Sequence, residues 1–230
     1  MTTKDFASTI DHTLINPGAV KDDFVKLVSE ALDYGFRSVV VPGSRVKLVK
    51  ELLADRGMAK VLYPVVSQVV GYPLGNQSWK GKVGEVIPEA DDIDMVMNIG
   101  YFLDGEYGYV KAEIDAIKRE FPDKFLKVII STPHLTDKQI ADATKLVSES
   151  KADCIKTCTG WEDRGVSLHD LFIINHYRRD DLLLKASGKI ADVEFAVELL
   201  HAGAHILGSR SGVKLMKQFE EDTKIGGEIR

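Results

Sequence analysis

Two lysines and two aspartates stand at or near the ends of short apolar runs. Lys156 lies in CIKTCTG, flanked by Cys154, Ile155 and Cys158; Lys185 lies in LLLKASG, Asp94 in DDIDMVMN and Asp11 in IDHTL. An ammonium group inside such a run is costly unless a carboxylate pairs with it or it gives up its proton. Two ammonium groups in one pocket disfavour each other's protonation, so one of the two is expected to be partly neutral near pH 7. A neutral amine in a dry pocket is a nucleophile toward carbonyl carbon. Asp94 could keep the other lysine charged and move protons. Lys127 begins its run and is expected nearer the opposite end of the strand. The competing expectation is that buried Lys–Asp pairs are structural, and that Asp11 and His12 form a satisfied pair where the first strand starts.

A second constellation joins glycine to hydroxyl groups: Thr159 and Gly160, then Ser187 and Gly188, then Gly208, Ser209, Arg210 and Ser211. Small residues let an anion approach the backbone, and loops that lead into helices present N–H groups to a dianion such as phosphate. Lys189 and Arg210 add cationic heads. The alternative is that these glycines only end strands and cap helices, and that the two cations point to solvent.

These residues need a scaffold that brings them together. Short β-branched runs at 8–14, 37–41, 65–71, 92–98, 126–131, 153–157, 182–187 and 205–209 alternate with helical apolar spacing at 21–34, 45–55, 107–120, 136–149, 167–177, 192–202 and from the last strand to about 221. The stretch 75–89 holds Gly81, Gly84 and Pro88, so any helix there is short. Runs such as KVIIS are apolar on both faces, as a parallel sheet under helical crossovers demands. Eight such units predict a single-domain α/β (β/α)8 TIM barrel over 1–230, with an open doubly wound sheet as the alternative. In a barrel the strand C-termini build the pocket, which is where the lysines, aspartates and glycine loops fall.

Composition limits the function. The chain has 230 residues, 44% apolar and 28% charged, with net charge −5. A broad basic surface for nucleic acid is absent, and no apolar run is long enough for a membrane helix. Residues 1–11 lack the basic start and apolar run of a secretory signal, so a cytoplasmic location is expected. Two cysteines and six scattered histidines predict neither a disulfide nor a metal site. No phosphate-loop or dinucleotide fingerprint follows a strand, so no cofactor is expected.

The motifs IDHTLINPGA (10–19), VVGYPLG (69–75), DDIDMVMNIG (91–100), KVIIST (127–132), ADCIKTCTG (152–160), KASGKI (185–190) and LGSRSGV (207–213) together resemble the deoxyribose-phosphate aldolases, cofactor-independent Schiff-base enzymes. The resemblance spans nearly the whole chain. It implies Lys156 as the Schiff-base lysine, Lys185 as the lysine that lowers its pKa, Asp94 as proton donor and acceptor, and Asp11 in a supporting network. It also implies a barrel, a homodimer, no metal, and a small-molecule sugar phosphate and aldehyde as partners. The implied reaction is reversible cleavage of 2-deoxyribose 5-phosphate to acetaldehyde and glyceraldehyde 3-phosphate. Alternatives are an aldolase for a different short anionic aldehyde and a non-catalytic metabolite-binding barrel. Departures from the family pattern are Val40 for a common cysteine, Ser131 for a glutamate, Lys189 for a glycine, Ala191 for a basic residue and Arg210 for a serine. The segment after VVGYPLG is also about one helical turn short.

Overall fold

The computed structural model describes residues 1–55, 65–72 and 75–224. Pro73 and Leu74 of VVGYPLG, and residues 225–230, lie outside the described residues.

Eight parallel strands close in sequence order into a barrel: β1 (Ile10–Thr13), β2 (Ser38–Pro42), β3 (Val65–Val70), β4 (Asp92–Val96), β5 (Phe125–Ile129), β6 (Cys154–Lys156), β7 (Leu183–Ser187) and β8 (Ile206–Ser209). Pairing of β1 with both β2 and β8 makes the closure and removes the open-sheet alternative. The helices are α1 (Thr3–Ala7), α2 (Lys21–Tyr34), α3 (Val46–Asp55), α4 (Trp79–Glu85), α5 (Ile99–Leu103), α6 (Tyr107–Glu120), α7 (Asp137–Glu149), α8 (Leu168–Tyr177), α9 (Val193–His201) and α10 (Gly212–Lys224).

Local sequence explains these boundaries. Gly35 ends α2 in the left-handed conformation at φ 71°. Thr136 and Ser167 open α7 and α8 with reciprocal capping boxes, and the Asp192 side chain caps α9. The buried stripe Val110, Ile114 and Ile117 of α6 joins the core against outward strand residues such as Ile93 and Met95.

α1 and α5 depart from the sequence expectation, since each is five residues long and too short for apolar periodicity to register. α1 is held by a Thr2–Asp5 capping box and by Phe6, whose ring stacks on Phe219 of α10 at 4.5 Å. No helix among the described residues is long and apolar enough to cross a membrane.

Candidate active site

Strand register assembles the centre. Lys156 on β6 lies opposite Lys185 on β7, and Asp94 on β4 lies opposite Lys127 on β5. The Nζ atoms of Lys156 and Lys185 both donate to Asp94 Oδ2, each over 2.8 Å, and Lys185 also donates to Asp11. Space for Lys185 comes from Gly208 on β8, where a Cβ would sit 3.0 Å from Lys185 Cε and 2.9 Å from Ser187 Cβ. The two lysines are not equivalent. Lys156 is 4% exposed and lines a cavity of about 290 Å³, whereas Lys185 is fully enclosed beneath it. Only the former can meet a molecule arriving from the rim.

Below them runs a closed ion network. Lys127 Nζ donates to Asp92 Oδ2 over 2.6 Å and to Ser67 Oγ over 2.9 Å, and stands 2.9 Å from Asp94 Oδ1. Arg37 bridges Asp11 over 2.7 Å and Asp92 over 2.9 Å, and Ser38 Oγ donates to Asp11. Three carboxylates, Asp11, Asp92 and Asp94, thus face four cationic side chains, Arg37, Lys127, Lys156 and Lys185. With Lys156 uncharged, the cluster is neutral.

Electrostatics select the same lysine. Burial pushes the Lys156 pKa down; Asp94 opposes this, and the Lys185 charge, then that of Lys127, push it further down. Burial leads, so the neighbouring cation is a contributor and not the first cause. Burial also resists ionisation of Asp94 and Asp11. The surrounding cations overcome it, led by Lys127 for Asp94 and by Lys185 for Asp11, and hold both carboxyls below their usual range. Lys127 pays the same burial penalty, but Asp94, Asp11 and Asp92 raise its pKa above the ordinary lysine value.

The rim is more fully bonded than the glycine-hydroxyl pattern implies. Thr159, Gly160, Ser187, Gly188, Lys189, Gly208, Ser209, Arg210 and Ser211 all line the cavity. However, the Thr159 and Gly160 N–H groups donate to the Glu162 carboxylate, each over 2.8 Å, so they are not free for an anion. The Ser187 hydroxyl donates to the Cys158 carbonyl and the Ser209 hydroxyl to the Ile190 carbonyl, each over 2.6 Å. Their role at the rim is to brace the loops. Arg210 lays its guanidinium 5.3 Å from the Trp161 ring centroid, and Lys189 Nζ donates to the Asp163 carbonyl. Lys189 has φ 58° and Ser131 has φ 53°. Both side chains therefore sit on left-handed backbone, which disfavours one, and at Lys189 the expected glycine would carry no such cost.

Two expectations need correction. Lys127 belongs to the centre, because it is the middle residue of β5 and lies in register with Asp94. Asp11 and His12 are not partners: successive strand residues face opposite ways, and His12 Nε2 pairs with Glu30 over 2.8 Å. Burial pushes the Cys158 thiol, and that of Cys154, up to about 12, so neither is a thiolate at neutral pH. Arg37, Asp92 and Glu162 were missed. Asp92 had a usable signal, because it lies two residues before Asp94 and so shares its strand face. Among the described residues, no group of three or more His, Cys, Asp or Glu is arranged to hold a metal ion.

No protein-family model matches the chain. It is 40% identical over 216 residues to the deoxyribose-phosphate aldolase of Metamycoplasma arthritidis, covering 92% of this chain and 97% of that protein. The deoxyribose-phosphate aldolase of Thermococcus gammatolerans is 38% identical over 93% of this chain and 96% of its own length. Among solved structures, QR15, an aldolase, superposes with TM-score 0.88 at 31% identity, covering 97% of this chain and 99% of that one. The tetrameric deoxyribose phosphate aldolase of Aeropyrum pernix superposes with TM-score 0.85 at 29% identity, over 95% of this chain and 92% of its own.

Proposed function

Because the chain belongs to the deoxyribose-phosphate aldolase family, we propose that it cleaves 2-deoxyribose 5-phosphate reversibly to acetaldehyde and glyceraldehyde 3-phosphate through a Schiff base on Lys156. One observation carries the reading: Lys156 alone of the two paired lysines reaches the cavity, with its pKa depressed by burial and by Lys185. The names of the relatives favour neither a different aldehyde nor a silent binding barrel.

In the proposed sequence, the neutral Lys156 Nζ attacks carbon 1 of the open-chain aldehyde, one proton is taken up from solvent and water leaves, giving a protonated imine; the final hydrolysis returns that proton. Removal of the carbon 3 hydroxyl proton then breaks the bond between carbons 2 and 3. The electron pair moves into the imine to give an enamine, and glyceraldehyde 3-phosphate departs. Protonation of carbon 2 and hydrolysis release acetaldehyde and restore the amine. Asp94 is assigned the proton transfers, through water where needed, because it is held as a carboxylate against Lys156. Lys185 keeps Asp94 and Lys156 in place, and Asp11 fixes Lys185.

The cavity runs from Lys156 to Lys189 and Arg210, which we assign to the phosphate with the Gly188 and Ser209–Ser211 loops. Binding at that remote end positions the reacting carbon. Residues 1–230 are proposed as one aldolase domain, in keeping with alignments that cover nearly all of both chains. A homodimer in the cytoplasm completes the proposal, with light scattering to separate dimer from tetramer. The deciding experiment is borohydride reduction in the presence of acetaldehyde. The adduct is expected on the peptide containing Lys156, and its absence, together with absence of sugar phosphate cleavage, rejects the proposal.

A further inference from the structure

One wall of the cavity is apolar. Ile15, Val40 and Val69 form a small buried cluster, and the Tyr72 ring packs against it. Gly71, at φ 68°, turns the chain off the end of β3 and delivers Tyr72 to that place. Tyr72 also lines the cavity that Lys156 enters.

Its hydroxyl is unusual. The oxygen is buried and finds no hydrogen-bond partner of acceptable geometry, an arrangement that folded proteins rarely leave without a reason. The Thr159 hydroxyl is near enough to act on it without completing a well-aligned hydrogen bond, and the Glu162, Arg210 and Asp94 charges bear on it as well. Burial, reinforced by the Glu162 charge, raises its pKa. The group is therefore a fixed hydrogen-bond donor at neutral pH and not a base. A donor held ready on an apolar wall has its acceptor supplied by whatever fills the cavity.

We infer that Tyr72 is a specificity-determining residue whose hydroxyl donates a hydrogen bond to the carbon 4 hydroxyl oxygen of the sugar phosphate. This rests on the aldolase reading above. With carbon 1 on Lys156 and the phosphate at the Lys189–Arg210 end, carbon 4 lies midway, and the side chains Ile15, Val40 and Val69 offer its oxygen no partner. In the synthetic direction the same oxygen is the carbon 2 hydroxyl of the acceptor aldehyde.

The test uses Tyr72→Phe, which keeps the ring and its packing. With acetaldehyde as donor, glyceraldehyde and 3-hydroxypropanal are compared as acceptors; they differ only in that carbon 2 hydroxyl. The variant is expected to lose roughly 3- to 10-fold in kcat/KM for glyceraldehyde and to keep its value for 3-hydroxypropanal. Without substrate its melting temperature should hold or rise, because an unpaired buried hydroxyl has been removed. Equal losses with both acceptors, no loss with either, or a clear drop in melting temperature would overturn the inference. Failure of the aldolase reading shows differently, as wild-type enzyme with no turnover of either acceptor and no acetaldehyde adduct on Lys156, and it would remove this inference as well.

Discussion

Lys156 and Lys185, in register on adjacent strands, donate to one and the same carboxylate oxygen, Asp94 Oδ2. A single carboxylate offsets a single ammonium charge, and Asp11 supports Lys185 from below. The lysine left to give up its proton is the one at the cavity. Its depressed pKa means that the neutral, reactive fraction grows as pH rises through that value, so activity has an acid limb set by Lys156.

Replacing Lys185 with leucine moves that limb. The substitution removes a positive charge beside Lys156 and leaves Asp94 Oδ2 to Lys156 alone; both changes raise the Lys156 pKa. Activity at pH 7 should fall by up to about tenfold for each unit that the limb shifts alkaline, with circular dichroism unchanged. A pH–rate profile superimposable on wild type would show that Lys185 does not tune the amine.

Lys127→Met tests the network rather than the chemistry. It strips the buried Asp92 and Asp94 carboxylates of a cation that both of them contact. Breaking a buried ion pair from one side costs about 3–5 kcal/mol, which urea unfolding would read as a lower midpoint with the same slope. A midpoint within error of wild type would place the stabilising charge elsewhere.

Acid stability has a definite sign. Asp11 and Asp94 have folded pKa values below the ordinary 3.8. Their contribution is therefore fully present above that value and is lost as pH falls through the folded ones. Stability measured by urea unfolding should drop steeply below about pH 4. In Asp11→Asn, whose neutral amide leaves Lys185 and Arg37 short of a carboxylate, the drop should be shallower and start from a lower plateau.

The thiols give a chemical check on burial. Cys154 and Cys158 are free, buried and held up to about 12. Iodoacetamide at pH 8 should leave both unmodified in the folded protein and alkylate both in urea, as read by intact mass. Rapid native labelling of Cys158 would mean that the β6 loop opens.

Arg210→Ser addresses the anionic end. KM for deoxyribose 5-phosphate should rise about tenfold, the size of one charge-assisted contact, while cleavage of unphosphorylated deoxyribose stays unchanged. An unaltered preference between the two sugars would remove Arg210 from phosphate recognition.

Much of this protein is local and therefore legible in its sequence. Strands apolar on both faces, capped helices such as α7, and the left-handed stop at Gly35 are all decided by neighbours a few residues away, so the eight strand–helix units follow from alternation, while closure into a barrel does not. Lys156, Lys185, Asp94 and Asp11 were detectable because a charge inside an apolar run demands a reason. Tertiary structure decided what each charge meets. Ring closure brought Asp11 of β1 beside Lys185 of β7, and the register of β4 with β5 set Lys127 against Asp94. It also decided that Glu162 occupies the N–H groups of its own loop, and that Lys156 rather than Lys185 opens to the cavity. Those outcomes depend on distances between residues far apart in the chain, and on which face of a closed sheet water reaches, neither of which any run of neighbouring residues encodes.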